Sequence, residues 1–526
     1  MGACALHLQP IDLDTLATIV FGMPATSACG SDGICIRVLK AAFPAIGPIV
    51  QHLINTSIVN SDIPDSWKES LVNPIHKTGD PATPSNFRPI SLIPIITKIL
   101  ERVVQHQLFA YVTNNHLLAD TQHGFRTHHS TETALIHTTD TLLTATDAGH
   151  ISLLCLLDMS KAFDVIDHDR LITKLCALGI NTDWFRAYLP GHTQRVTFTD
   201  NTGTRHTSGA RPNTMGVFQG SALGPLLYTI FTNDLSIYAP NSTIIQYADD
   251  TQLITSGHKN TLQDIISRLE NSLTTLDTWF LANTLKVNPD KTQLIVIGTR
   301  QNTRTLPHFT VTFRDRNLQP ADTVKNLGLI FDSNMTWEPH VRQLSRKCYG
   351  TLTSLSHIRH YLPPCVLPTL ISGLVLSQVR YCLSVYGNGS KQNLHTVQKI
   401  MNFSSRVIAG RSKFSHSSDI RKKLGWLDAT QLTHYHTLTQ LHKTLQHHLP
   451  VTIHRTLQTH KQTRSRNTRQ DHKLKLPAAR LETGKRRFCY RGAALHNSLP
   501  LEMTCLPMHR FKRALKKHLR AQQLSS

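Results

Sequence analysis

The sequence has no cysteine arrangement that would bind zinc or build a disulfide framework. Its 526 residues include ten cysteines, and no two of them form a C-x-x-C pair. Its 31 histidines include no H-E-x-x-H pattern, which excludes the common signature of zinc hydrolases. Scattered thiols in a chain of this length favour reduced cysteines and an intracellular protein.

The sequence also has no long uncharged apolar segment. No such run reaches the roughly 18 residues that a membrane-spanning helix needs. The N-terminus lacks the basic start and apolar stretch that mark a secretory signal peptide. We therefore expect a protein that is neither secreted nor inserted in a membrane.

Acidic residues are few relative to basic ones. Lys and Arg number 56 against 34 Asp and Glu, which gives a formal net charge of +22. Residues 451–526 hold 18 of the basic residues and three of the acidic ones, so this segment carries +15 of the total. Such a field favours polyanionic partners, with nucleic acid first and an anionic membrane surface second. A solvated basic tail is the alternative explanation.

Two acidic features stand at the ends of apolar segments. Tyr247-Ala248-Asp249-Asp250 lies between apolar β-branched runs, which predicts a tight β-hairpin with two carboxylates at its tip. About 90 residues earlier, the apolar run 151–157 predicts a buried strand that ends at Asp158. Adjacent carboxylates repel, and a fold holds them together mainly around a cation. This is the minimum layout of a two-metal phosphoryl-transfer site, although Asp-Asp pairs also occur in solvated turns.

Strand and helix patterns alternate from about residue 65 to 335, and helical spacing dominates from 338 to about 450. This order predicts an α+β or mixed α/β fold followed by a helical region. Asp167 is expected to cap a helix that ends at Leu178, with Gly179 as its stop. The other predicted helices cover 37–43, 49–58, 95–111, 133–145, 225–235 and 261–279.

Several short blocks follow one another in the order found in one polymerase family. They are Pro74-Ile75-His76-Lys77, Asn86-Phe87-Arg88-Pro89, Gln122-His123-Gly124-Phe125-Arg126, Leu157-Asp158-Met159-Ser160-Lys161-Ala162-Phe163-Asp164, Gly216-Val217-Phe218-Gln219-Gly220-Ser221, Tyr247-Ala248-Asp249-Asp250, Asn288 with Lys291-Thr292, and Val324-Lys325-Asn326-Leu327-Gly328. In these blocks the chain resembles the reverse transcriptases of non-LTR (LINE-type) retrotransposons, most closely the Jockey/CR1/L2 group. The resemblance covers nearly the whole chain.

The resemblance implies a right-hand polymerase fold of the α+β class, with fingers, palm and thumb and a helical, basic C-terminal region. It divides the chain into an N-terminal extension (1–60), fingers and palm (61–335), a thumb-like helical region (336–450) and a basic C-terminal region (451–526).

The resemblance also implies catalytic roles for four residues. Asp158, Asp249 and Asp250 would be the catalytic carboxylates and would hold two Mg²⁺ ions, with Mn²⁺ as a substitute. Because successive strand side chains point in opposite directions, Asp249 is expected to be the direct ligand of the tandem pair and Asp250 its support. Lys291 is expected to give a proton to pyrophosphate, or else to be an ordinary surface charge.

Five further residues would bind the substrate. Phe163 would lie under the sugar of the incoming nucleotide, where its ring would exclude a 2′-hydroxyl. Lys77 and Arg88 would bind the triphosphate, and Gln219 with Gly220 would lie against the templating base pair. Without the resemblance, these would be ordinary core, turn and surface residues.

The expected function is that of an RNA-directed DNA polymerase with an RNA template, a DNA primer or target and dNTPs as partners. Its work places it in the nucleus, although the basic run 461–475 would serve RNA binding as well as nuclear import. The alternative is a catalytically inactive remnant that only binds nucleic acid. A polymerase that makes RNA is a third interpretation, which Phe163 disfavours.

Three features depart from the family pattern. Phe218 stands where proline is usual, and the change is expected to loosen the turn and shift Gln219. Gly191-His192 replaces a more usual polar or basic pair. Full-length relatives carry an endonuclease ahead of the polymerase, whereas fingers-like sequence begins here near residue 60. We therefore expect a copy that lacks the endonuclease and cannot nick target DNA by itself.

Overall fold

The computed structural model describes residues 6–159, 161–412, 414–463 and 471–525. These residues form two compact units, each assembled from segments that are distant in sequence. The first unit comprises the described parts of Met1–Phe125, Met159–Tyr238 and Thr275–Asn288, and the second those of Arg126–Asp158, Ala239–Thr274 and Pro289–Ser526.

The first unit is built on a five-stranded sheet. Glu69–His76 pairs antiparallel with Phe87–Leu92 and parallel with His192–Thr199. His192–Thr199 also pairs with Arg205–Thr207 and Arg211–Asn213. The helices of this unit are Leu13–Gly22, Ile36–Asn60, Ile95–Asn114, His168–Ala177, Asp183–Tyr188 and Gly224–Phe231.

The helix Ile36–Asn60 replaces the two short helices predicted over 37–43 and 49–58. Pro44 and Pro48 lie inside it, and each removes one backbone hydrogen bond. Its buried residues recur every three or four positions along one face, which packs against Leu13–Gly22. This continuous apolar face outweighs the two lost hydrogen bonds, so the prediction of a break was wrong.

Local capping is confirmed where the sequence predicted it. The Asp167 side chain accepts a hydrogen bond from the Arg170 N–H at 2.9 Å, and His168–Ala177 follows as a helix. Gly179 has a φ of +78°, the left-handed conformation that stops a helix.

Glu101 is a fully buried carboxyl in the first unit. It accepts hydrogen bonds from the Tyr188 hydroxyl and from the Ala222 N–H. Burial outweighs these bonds and raises the pKa of Glu101 from 4.5 to about 7. Between these two values the folded state keeps a proton that the unfolded chain has released.

The free energy of unfolding of the first unit is therefore expected to fall, by up to about 3 kcal/mol, as the pH rises from about 5 to 8. Glu101→Gln removes the titrating group and keeps the size of the side chain and one of its two oxygen acceptors, so its stability should vary less over this range. Chemical denaturation of both proteins at four pH values measures the difference. Parallel curves for the two proteins would contradict the prediction.

The second unit contains a four-stranded antiparallel sheet. Its strands lie in the order Thr243–Tyr247, Asp250–Gly257, Ile151–Leu157 and Gln293–Ile297. Ile151–Leu157 lies between two neighbours and is almost wholly buried, which explains why all but one of its residues are apolar. The helix Thr131–Asp147 packs against this sheet. The sheet positions the carboxylates at the end of its strands.

Helices form most of the rest of the second unit, so the helical spacing predicted from residue 338 is confirmed. Two small hairpins lie before the helix Glu338–Ile358, namely Val311–Phe313 with Arg316–Leu318 and Thr323–Asn326 with Leu329–Asp332. The helices are Arg300–Arg304, Glu338–Ile358, Val366–Ile371, Ser377–Arg380, Leu383–Tyr386, Lys391–Ala409, Ser418–Lys423, Ala429–His447, Val451–His454, His460–Thr463, Glu482–Lys485, Phe488–Asn497, Leu501–Thr504 and Met508–Ser525, while Leu262–Ala282 has residues in both units. No helix in the described ranges is long and apolar enough to span a bilayer.

The C-terminal segment belongs to the fold of the second unit. Asp140 accepts hydrogen bonds from the N–H groups of Phe488 and Cys489, at the first turn of Phe488–Asn497. Asp147 accepts hydrogen bonds from the N–H groups of residues 480 and 481. Buried Arg487 donates to nearby backbone carbonyl groups.

Part of the basic C-terminal region is thus folded against the helix Thr131–Asp147, whereas residues 464–470 of the basic run lie outside the described residues. The predicted four-part division at residues 60, 335 and 450 stays a prediction.

Candidate active site

The predicted hairpin and strand both form, and they bring two carboxylates to one end of the four-stranded sheet. Tyr247 pairs with Asp250 across a turn of two residues, Ala248 and Asp249. Ala248 has a φ of +55°, which suits so tight a turn. Leu157 pairs with Thr251, so the next residue, Asp158, lies beside Asp250.

A pocket of about 400 Å³ opens at this end of the sheet, and Asp158 and Asp250 both line it. Leu156 lies two residues before Asp158, and Gln252 lies two residues after Asp250, so each shares a strand face with its carboxylate. Both also line the pocket. Asp249 occupies the turn itself.

The carboxylates in this region repel one another. Desolvation by the surrounding protein, together with the charges of Asp249 and Asp158, raises the pKa of Asp250 to about 6, although the residue remains exposed to solvent. A divalent cation would relieve this repulsion, and carboxylate oxygens are the ligands that Mg²⁺ prefers. The donors present therefore fit such an ion. Within the described residues, no three His, Cys, Asp or Glu side chains form a ready metal-ligand group.

Lys291 places a cation beside the same carboxylates. It ends the short helical turn Pro289–Lys291, and one residue separates it from the strand Gln293–Ile297. Its Nζ lies 3.4 Å from Asp158 Oδ2, and its side chain is 67% exposed. An ion pair so open to solvent adds little stability, and the ammonium group can reach a ligand in the pocket.

A second pocket, of about 430 Å³, lies within the first unit, and Lys77, Lys161, Asp164 and Gln219 line it. Gln219 Nε2 donates to Asp164 Oδ1 at 2.9 Å, and burial raises the pKa of Asp164 against the opposing effect of the two lysines. Sequence reasoning gave no role to Lys161 or Asp164. The signal was available, since both belong to the block that contains Phe163.

Gly220 lies where its neighbours leave no room for a side chain. Its φ is +116°, and a Cβ would come 2.9 Å from the Ser91 carbonyl oxygen. The Ser91 N–H in turn donates to the Gln219 carbonyl at 2.8 Å, which fixes this turn against the strand Phe87–Leu92. Arg88 lies on the same strand, where it pairs with Ile75 of the neighbouring strand Glu69–His76. It is exposed and is not among the residues that line the second pocket.

Phe163 is half-buried and held by aromatic contacts in the first unit. Its ring stacks on Tyr228 with 4.5 Å between centroids, and it meets Phe125 edge to face at 6.1 Å. Its carbonyl oxygen accepts a hydrogen bond from the Val217 N–H at 2.8 Å. These contacts fix the position of the ring. Ser160, in the same block, lies outside the described residues.

Two of the departures from the family pattern pack against each other. The buried ring of Phe218 meets the His192 ring edge to face, with 4.7 Å between centroids. The two ring nitrogens of His192 lie within hydrogen-bond distance of the carbonyl oxygens of Lys68 and Tyr188. Burial lowers the pKa of His192 to about 4, so the neutral ring donates to one of these oxygens at a time. Phe218 therefore fills a site that His192 helps to build.

Phe218→Pro, which restores the usual family residue, is expected to destabilise the first unit by about 2 kcal/mol. The substitution leaves a cavity beside His192, because proline is smaller than phenylalanine. The melting temperature of the variant measures this loss. Phe218→Leu, which keeps most of the volume, is the matched control and should lose less. A variant as stable as the parent would contradict the prediction.

The nine predicted site residues fall in both units. Asp158, Asp249, Asp250 and Lys291 belong to the second unit, and Lys77, Arg88, Phe163, Gln219 and Gly220 belong to the first. All nine lie within residues 75–331, the range that matches the family model described as reverse transcriptase (RNA-dependent DNA polymerase). The chain contains a reverse transcriptase domain. The predicted α+β polymerase class is thereby confirmed.

The reverse transcriptase domain and its flanks are similar to polymerases of non-LTR retrotransposons, which confirms the predicted resemblance. The probable RNA-directed DNA polymerase from transposon BS of Drosophila melanogaster is 28% identical over 84% of this chain and 49% of the relative. The RNA-directed DNA polymerase from mobile element jockey of the same species is 24% identical over 80% of this chain and 46% of the relative. The chain thus spans about half the length of the curated relatives it matches.

Among solved structures, apo telomerase from Candida tropicalis is similar to the chain, with 12% identity and a TM-score of 0.35. The similarity covers 52% of this chain and 54% of the telomerase chain.

Proposed function

We propose that the protein is an RNA-directed DNA polymerase of a non-LTR retrotransposon. It joins dNTPs to the 3′ end of a DNA primer on an RNA template. The observation that carries the proposal is that Asp158 and Asp250 line one pocket, at the ends of adjacent strands of a reverse transcriptase domain.

Asp158, Asp249 and Asp250 would hold two Mg²⁺ ions, with Mn²⁺ as a substitute. Bound there, the ions would lower the pKa of the primer 3′-hydroxyl and neutralise charge on the triphosphate and pyrophosphate. The pKa of Asp250 supports this assignment, because the charges of Asp249 and Asp158 add to desolvation in raising it, so the three carboxylates are close enough to repel one another.

The remaining residues bind and orient the substrates. Lys291 gives a proton to the departing pyrophosphate, and Lys77 and Arg88 bind the triphosphate. Phe163 excludes a 2′-hydroxyl, and Gln219 with Gly220 lies against the templating pair. The shared pocket of Lys77 and Gln219 supports their assignment to one substrate.

The proposed partners are an RNA template, a DNA primer or target and dNTPs, and the proposed place of work is the nucleus. Segments 1–60, 61–335, 336–450 and 451–526 are proposed as N-terminal extension, fingers and palm, thumb-like region and basic region. The basic region would hold RNA through its phosphates.

Primer extension by the purified chain on an RNA template, in Mg²⁺ and in Mn²⁺, tests the proposal. Extension with dNTPs supports it. Salt-dependent binding of nucleic acid without extension in either metal would overturn it in favour of an inactive remnant, which the +15 charge of residues 451–526 would still allow to bind.

A further inference from the structure

A buried glutamine forms part of the floor of the pocket that Asp158 and Asp250 line. Gln252 is 1% exposed, and its Oε1 accepts hydrogen bonds from Thr138 Oγ1 at 2.7 Å and from Asn326 Nδ2 at 2.8 Å. These two donors come from the helix Thr131–Asp147 and the strand Thr323–Asn326, so the amide is fixed from two sides.

The other end of this amide has no partner. Within the described residues, Gln252 Nε2 is buried and forms no hydrogen bond. A buried donor without an acceptor costs free energy, and in a native fold such a group calls for an explanation. Because Gln252 lines the 400 Å³ pocket, an acceptor atom of a ligand there would satisfy it.

The charges of the residues that line the pocket indicate which kind of ligand it binds. Its lining carries the cations Lys291 and Lys325 against the carboxylates of Asp158, Asp250 and Asp290. Without bound cations this lining has one more carboxylate than ammonium groups, which opposes a free triphosphate more strongly than the last nucleotide of a primer with its single phosphodiester charge. In the proposed reaction, the 3′-hydroxyl of that nucleotide must also reach the carboxylates.

We propose that Gln252 Nε2 donates a hydrogen bond to the 3′-terminal nucleotide of the primer, and that Thr138 and Asn326 hold the amide in place for this contact. The proposal rests on the proposed polymerase function and adds a primer-binding residue to it.

The test measures binding of an annealed DNA primer and RNA template by fluorescence anisotropy in EDTA without dNTPs, so that it does not depend on catalysis. Gln252→Met keeps the side-chain length and removes the donor, and its Kd should rise about fivefold to tenfold. Thr138→Val removes one tether and leaves the donor, so its Kd should rise less than twofold. Primer extension by the parent, and its KM for dNTP, are measured beside these.

A second substitution covers the case in which Gln252→Met does not fold. Gln252→Glu keeps the acceptor for Thr138 and Asn326 and replaces only the donor, and it should weaken primer binding about tenfold. Gln263→Glu is its control, since this residue is exposed on the helix Leu262–Ala282 and is not among the residues that line the pocket. It should bind the primer like the parent.

Three results would overturn the inference while the parent still extends a primer. They are unchanged Kd in both Gln252 variants, equal losses in Gln252→Met and Thr138→Val, and a higher KM for dNTP with unchanged primer affinity. Failure of the parent to extend any primer is a different result, because it overturns the proposed function itself.

Discussion

Asp158→Asn is expected to lower the rate of primer extension by more than about 10³-fold. The substitution keeps the size of the side chain and removes the charge that would share a divalent cation with the neighbouring carboxylates. Because residues that only support metal ligands already cost about 10- to 100-fold when mutated, loss of a ligand should cost more. Single-turnover extension in saturating dNTP and Mg²⁺ measures the change.

Asp264→Asn is the matched control for this experiment. Asp264 lies in the same unit, is exposed, and pairs with Arg268 one helical turn away. Its loss removes the same charge from a residue that is not among those lining the pocket, and it should leave the rate within about twofold of the parent. If Asp158→Asn extends primers as fast as this control, Asp158 is not a ligand and the proposed mechanism fails.

Phe163→Ala is expected to lower the preference for dNTPs over ribonucleotides by about 10²-fold. The ring is held against Tyr228 and would block a 2′-hydroxyl, whereas an alanine leaves that space open. The change should appear mainly as improved use of ribonucleotides, measured as kcat/KM for single-nucleotide incorporation with each sugar.

Phe125→Ala separates this effect from general loosening of the aromatic cluster. Phe125 touches Phe163 edge to face, and its removal leaves the Phe163 ring on Tyr228. The sugar preference of this variant should stay within about threefold of the parent. An unchanged preference in Phe163→Ala would remove the proposed role from Phe163.

Local patterns predicted the framework of the site correctly. The strand before Asp158, the Asp249-Asp250 hairpin and the helix capped by Asp167 follow from apolar periodicity and turn chemistry within about ten residues. The same local rules failed at Pro44 and Pro48, because the packing of the helix face against a distant helix decided the outcome.

The side-chain contacts of the site were beyond such rules. Gln219 bonds to Asp164 across 55 residues of sequence, and Gln252 bonds to Thr138 across 114. A single sequence carries no periodic signal for contacts of this length, since they arise only when separate elements pack. The Phe218 and His192 contact belongs to the same class, although each residue was recognised as a departure.

The arginines at residues 486, 487 and 491 change what the basic C-terminal region can do for a polyanion. All three donate hydrogen bonds to backbone carbonyl groups of their own unit. Because these bonds hold the guanidinium groups against the protein, we expect them to make fewer contacts with the phosphates of a polyanion than the exposed basic residues do. A plot of the logarithm of affinity against the logarithm of salt concentration should therefore have a shallower slope than a count of the basic residues suggests. The difference in slope should be about 0.7 to 0.9 for each of these arginines.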